Sequence, residues 1–121
     1  EQNAGHLVLV SSVSADRGLP GSKAVYSASK AGVSALGEAL VAELRRTPIA
    51  VTTVLPGYVA TDMSSRAGDA GRLMSSLDDG VSAMVEAIEK EVTRSALPGL
   101  TWKAIDVVLR VLPRRVTDGL V

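Results

Sequence analysis

Residues 6–10 (HLVLV) are an unbroken apolar run of strand length, the form taken by a parallel strand buried on both faces. Residues 11–22 turn polar and gather serine, glycine and proline, which marks a loop. Strong helix formers follow over residues 24–46, with Val25, Ala28, Gly32, Leu36, Ala39, Leu40 and Leu44 on one broad side. Ala31, Ala35 and Ala42 leave part of another side open to close packing. Thr47-Pro48 stops the helix, because the residue before a proline is pushed out of helical geometry.

Residues 49–55 (IAVTTVL) predict a second buried strand, β-branched at Ile49, Val51, Thr52, Thr53 and Val54. Pro56-Gly57 ends it, and a loop runs to about residue 71. The next helix is predicted from near Ser76, where Asp79 completes a capping-box pattern. Val81, Met84, Val85 and Ile88 then keep a helical stripe. Residues 94–97 predict a short strand and residues 102–112 a last helix, stopped by Pro113. No repeat, low-complexity tract or linker breaks the chain into parts. Strand, helix, strand, helix in this order is a right-handed βαβ unit running on into another crossover, so the expected class is α/β with a doubly wound parallel sheet. Two or three strands make only part of such a sheet. The first strand lacks one of its usual neighbours, so an apolar edge prone to association is expected.

Composition narrows the function classes. With 121 residues, 46% of them hydrophobic, the chain has material for one domain with a packed core. Thirteen basic residues balance 13 acidic ones, which removes the electrostatic footprint of a nucleic-acid binder. Trp102, Tyr26 and Tyr58 are the only aromatics, too few for a stacking platform. The absence of cysteine excludes disulfides, thiolate zinc sites and cysteine nucleophiles, and fits a reducing compartment. No run approaches the roughly 18 apolar residues of a membrane span, and the first residues lack the pattern of a signal peptide. A soluble cytoplasmic protein is therefore expected, and the missing initiator methionine suggests a chain that begins mid-gene or after processing.

The candidate chemistry gathers at one edge. Tyr26 and Lys30 are four residues apart at the start of the long helix, so both side chains project from one face. Ser11, Ser12 and Ser14 lie just past the carboxyl end of the first strand, where open α/β sheets bind ligands, and residues 56–61 leave the second strand at the same edge. A phenol ordinarily ionises near pH 10, about three units or roughly 4 kcal/mol too high for a base at neutral pH. A lysine ammonium within about 4–6 Å favours the phenolate. In a partly wet cleft one lysine supplies only part of the shift, so a cofactor's positive charge or a second dipole must help. Such a tyrosine gives or takes a proton at a carbonyl or alcohol oxygen, and a nearby serine hydroxyl can hold that oxygen in place.

Tyr26-Ser27-Ala28-Ser29-Lys30 (YSASK), preceded by Val10-Ser11-Ser12-Val13 and Gly18-Leu19-Pro20-Gly21, resembles the active-site region of the short-chain dehydrogenase/reductase family. Pro56-Gly57-Tyr58-Val59-Ala60-Thr61 is similar to that family's PG-x-x-x-T loop, and Leu97-Pro98-Gly99 with Leu112-Pro113 to its tail. The resemblance implies the C-terminal catalytic half of a Rossmann-like sheet. It implies an NAD- or NADP-dependent oxidoreductase that interconverts a small-molecule alcohol and a ketone or aldehyde by hydride transfer. Carried over by position, Tyr26 is the acid/base and Lys30 assists it and bonds the nicotinamide ribose. Ser12 orients the substrate oxygen, and Pro56, Gly57, the Val59 backbone and Thr61 hold the carboxamide end of the nicotinamide. Residues 63–74 correspond to the variable substrate lid. The spacing from Ser12 to Tyr26 is one residue longer than the family's commoner one, as if Lys23 were inserted, which makes Ser14 the alternate candidate. The family's glycine-rich phosphate loop, its ribose-reading residue and its catalytic asparagine belong to a preceding half that these residues do not include. Self-association is also implied, because the family commonly pairs this long helix across a dimer.

Other features read as structural. His6 opens a strand and is expected to be partly buried there. Asp62, Asp69, Asp78 and Asp79 have no ligand spacing with a His or Cys, so no metal site is expected. Gly32-Val33-Ser34-Ala35-Leu36 fails the G-x-S-x-G pattern of a serine hydrolase at its last position and lies mid-helix. Trp102-Lys103, Arg110 and Arg114-Arg115 carry the ingredients of a helix lying on a membrane surface. Asp106 and the shortness of that helix favour one packed near the substrate pocket instead. The alternative to an enzyme is a non-catalytic remnant acting as a protein-interaction module.

Overall fold

A computed structural model of the chain describes residue 2, residues 4–60 and residues 74–117. Three parallel strands, β1 (Gly5–Val10), β2 (Ile49–Pro56) and β3 (Arg94–Leu97), form a sheet in that order. Among the described residues four α-helices accompany them: α1 (Ala24–Leu44), α2 (Leu77–Glu89), α3 (Gly99–Val111) and α4 (Arg114–Thr117). The α/β class and the order of elements agree with the sequence. The segment expected to be loop holds two 3-10 turns, Val13–Asp16 and Gly21–Lys23. The last long helix starts at Gly99, three residues early, and α4 follows Pro113.

β2 is the axis of the core. Its residues alternate between the two faces of the sheet, so neighbours in sequence feed different clusters. Val54 packs with Ala87 of α2 and Leu97, and Leu55 packs with Val13, Ala96 and Trp102 of α3. α1 reaches the sheet at Gly37, where a Cβ would stand 2.3 Å from Thr53 Oγ1. Only glycine permits that approach. Ser76 caps α2 as expected, accepting from the Asp79 backbone N–H at 3.1 Å and donating to the Asp79 carboxylate at 2.7 Å.

Four expectations need correction. β1 is not buried on both faces: it pairs with β2 alone among the described residues, and Val10 is 51% exposed with Leu7 exposed as well. Burial requires a neighbour on its other edge. The apolar stripe of α2 is half the predicted one: Met84 and Ile88 pack against the core with Ala87, and Gly80 is buried, while Val81 and Val85 face out. Small residues bring the buried side of the helix against the sheet.

The third concerns α1, whose predicted apolar side is turned inward only in part, at the half-buried Leu40 and Leu44. Of the broad apolar side, Val25 is 81% and Leu36 52% exposed, and Ala28, Gly32 and Ala39 are exposed with them. Its fully buried positions are the small residues Ser27 and Gly37, while Val33, Leu40, Val41 and Leu44 are half-buried. Ser27 accepts from the Leu19 N–H and donates to the Ala24 carbonyl, and Ser34 shares a 2.7 Å bond with Ser11. His6 is exposed rather than partly buried, with its Nε2 2.7 Å from Thr52 Oγ1.

Candidate active site

The ladder between β1 and β2 continues one step past β1, where Ser11 donates its N–H to the Val54 carbonyl at 2.8 Å. Its side chain then ties the strand end to α1, with Oγ 2.9 Å from the Lys30 carbonyl. Ser11 is a structural link. Ser12, the next residue, caps the turn Val13–Asp16 by accepting from the Ser14 N–H at 3.2 Å. Ser12 and Ser14 are both buried, and the Ser14 hydroxyl donates to Ser12 Oγ at 2.8 Å. Ser12 Oγ in turn faces the Pro56 carbonyl at 3.5 Å, which brings the serine turn against the start of the Pro-Gly loop.

Helix spacing places Tyr26 and Lys30 on one side of the first turns of α1. The Lys30 ammonium donates to the carbonyl of Val10 at 2.9 Å and lies 5.8 Å from the centre of the Tyr26 ring. Tyr26 is 37% exposed. Among the described residues no hydrogen bond joins Tyr26 directly to Ser12. Lys23, which lengthens the spacing between those two residues, closes the second 3-10 turn and sets its ammonium 5.7 Å from the Tyr58 ring centroid.

Beyond β2, Gly57 donates to the Leu97 carbonyl at 2.7 Å. A Cβ on Gly57 would stand 2.1 Å from the Trp102 indole, so only glycine lets this loop pass beneath α3. Tyr58 meets the same indole edge-on at 5.5 Å. Val59 forms a bridge with Ser75, made through the Tyr58 carbonyl and the Ala60 N–H. Thr61 and residues 63–73 of the expected lid lie outside the described residues.

A cluster that the sequence did not disclose sits behind the serine turn. Arg94 Nη2 is 2.8 and 3.1 Å from the two carboxylate oxygens of Asp16 and 2.7 Å from Asp106 Oδ1. All three side chains are largely buried. Burial first, and the hydrogen-bonded Asp106 carboxyl second, push Asp16 up to about 7 against the lowering pull of Arg94. Arg17 reinforces the join by donating to the Leu109 carbonyl and, at 2.6 Å, to that of Leu112. Asp106, which at the sequence level argued against a membrane-surface helix, is thus an inward-facing partner of Arg94.

The family described as short chain dehydrogenase matches residues 1–71. An uncharacterized oxidoreductase of Mycobacterium tuberculosis is 45% identical over 117 residues, 97% of this chain and 46% of that protein. One from Myxococcus xanthus is 36% identical over 121 residues, 98% of this chain and 46% of that protein. Among solved structures, a short chain dehydrogenase from Burkholderia cenocepacia in complex with NADP is similar, with a TM-score of 0.78 and 28% identity. That similarity covers 98% of this chain and 48% of the other. The chain therefore spans about half the length of the relatives it matches.

Proposed function

Because this chain belongs to the short-chain dehydrogenase/reductase family, we propose that it forms the catalytic half of an NAD- or NADP-dependent oxidoreductase interconverting a small-molecule alcohol and a ketone or aldehyde. The placement of Lys30 carries the reading. Its ammonium is bonded to the last carbonyl of β1 while standing beside the Tyr26 ring. The pair thus lies at the carboxyl end of the sheet, where open α/β sheets take ligands.

In this reading Tyr26 gives a proton to the carbonyl oxygen, or takes it from the alcohol, as the hydride moves at the adjacent carbon. Ser12 donates a hydrogen bond to the same oxygen. Lys30 supplies positive charge beside the phenol and donors for the ribose hydroxyls. A bound nicotinamide supplies or accepts the hydride. The residues present fit such a group: the bridge to Ser75 spares the N–H and C=O of Val59, a donor and an acceptor that match a carboxamide. Pro56, Gly57 and Thr61 belong to the same loop in this assignment. The NADP held by the similar Burkholderia protein supports the cofactor class.

We read the outward apolar side of α1 as a self-association surface of the full-length protein. The same feature, with the open edge of β1, favours a second reading, an interaction module without catalysis. Turnover of the full-length protein on a panel of secondary alcohols and ketones, followed by nicotinamide absorbance, separates the two. Tyr26→Phe keeps the ring and is expected to lower turnover about 10²–10⁴-fold with the melting temperature unchanged. Near-parental turnover in that variant would remove the proposed chemistry and leave the module.

A further inference from the structure

We propose that Arg94 is a positioning residue: by bridging Asp16 and Asp106 it mounts the Ser12–Ser14 turn on α3 and so sets the hydroxyl that receives the substrate oxygen. The inference rests on the reading of that turn as the oxygen-binding element.

The turn Val13–Asp16 is too short to hold its own shape. A 3-10 turn of this length closes few hydrogen bonds, among them the Ala15 N–H to the Ser12 carbonyl at 3.0 Å. Val13 seats it in the core beside Leu55 and Trp102, and polar contacts tie its two ends. Ser12, at one end, follows β1 directly and cannot drift far from the sheet. Asp16, at the other, is tied by its carboxylate to Arg94. Arg94 is itself well placed, as the first residue of β3 and in register with Thr53. Asp106 holds the guanidinium from α3, and Arg17 independently binds two α3-end carbonyls from the residue after Asp16. The serine turn is thus referenced to the helix on the far side of the sheet's end as well as to the strand that precedes it.

Charge explains why the arrangement holds only as a set. Asp16, Asp106 and Arg94 together carry one negative charge too many when both acids are ionised, and one shared proton makes the group neutral. A neutral set suits a buried position, and removing one member strands the charges of the others. Arg110, on the next turn of α3, adds a weaker positive influence on Asp16, and Lys103 lines the same side of the helix. Only Nη2 of Arg94 makes these contacts, while its Nε and Nη1 are buried without a hydrogen-bond partner among the described residues. A single cationic nitrogen therefore does the bridging, which a lysine ammonium can partly imitate.

The test uses the full-length enzyme, with kcat, KM and NADP(H) affinity measured for each variant. A misplacement of about 1 Å can cost about 100-fold in rate. Arg94→Met is expected to lower kcat by about 10–100-fold while cofactor affinity stays within about threefold, and Arg94→Lys to recover most of the loss. In a Ser12→Ala, Ser14→Ala background Arg94→Met should add less than about threefold, because residues acting as one unit are non-additive. Full additivity in that background overturns the inference, as does parental kcat in Arg94→Met when Tyr26→Phe is inactive. If Tyr26→Phe itself is active, the enzymatic reading fails instead. Should Arg94→Met not fold, Asp106→Asn is measured by the same criteria, and a parental or fully additive result there counts equally against Arg94.

Discussion

The hydroxyl of Ser14 donates to the hydroxyl of Ser12 at 2.8 Å, and the Ser14 backbone N–H donates to the same oxygen at 3.2 Å. Ser12 Oγ therefore accepts twice within its own turn and keeps its proton to give away. Among the described residues its acceptor is the Pro56 carbonyl at 3.5 Å, long for a hydroxyl bond. A substrate oxygen could take that proton at a better distance. The two serines thus have ordered parts, Ser14 donating to Ser12 and Ser12 keeping its own proton.

From this order follows a graded loss. Ser12→Ala should lower kcat about 10²–10³-fold, the range for removal of one aimed donor. Ser14→Ala should cost about tenfold, since Ser12 keeps its hydroxyl and loses one supporting bond. Steady-state kinetics on one ketone decides it. A larger loss in Ser14→Ala would transfer the oxygen-binding role to Ser14.

Asp16 gives a pH dependence with a definite sign. Its ordinary value is 3.8, and burial with the Asp106 hydrogen bond raises it to about 7 in the fold. Between those values the folded state holds a proton that the unfolded chain has released, so stability falls with rising pH across that window. The contribution is complete below about pH 4 and lost as pH passes through about 7. Asp16→Asn does not titrate and retains an amide donor for Asp106. Its melting temperature should gain on that of the parent as pH rises from about 5 to about 8. A constant difference across that range would refute the assigned shift.

The outer side of α1 predicts association. Leu36→Glu places a charge on a half-exposed apolar position without touching the inward serines or Gly37. Light scattering should show an oligomer for the full-length parent and a smaller species for Leu36→Glu, with turnover per folded protomer reduced no more than severalfold. A monomeric parent, or an oligomer indifferent to Leu36→Glu, would contradict that use of the helix.

Local signals were the legible ones. The cap at Ser76 could be read because its partner, Asp79, lies one helical turn away, and the shared face of Tyr26 and Lys30 because four residues make about one turn. β3 was bounded correctly by its short run before Pro98. What was not legible depended on distant chain. The exposure of β1 turns on whether a strand lies at its far edge, and the half-kept stripe of α2 on small residues whose value shows only against the sheet. Neither has a period in the sequence. The Asp16–Arg94–Asp106 cluster joins residues 78 and 12 positions apart, and isolated charges at such separations carry no pattern that marks them as partners. The roles of Ser12, Tyr26, Lys30, Pro56, Gly57, Val59 and Thr61 stand as assignments by resemblance, which the kinetics above address.

Arg17 reaches carbonyls 92 and 95 positions further along the chain. During synthesis, Ser12, Tyr26 and Lys30 all leave the ribosome long before the segment that braces their neighbour exists. Bringing such separated residues together slows folding more than it weakens the final state. A nascent chain stopped before Leu109 would carry every proposed reactive side chain and the Arg94 bridge but lack both carbonyl anchors of Arg17, so the second of the two braces forms only once translation has passed Leu112.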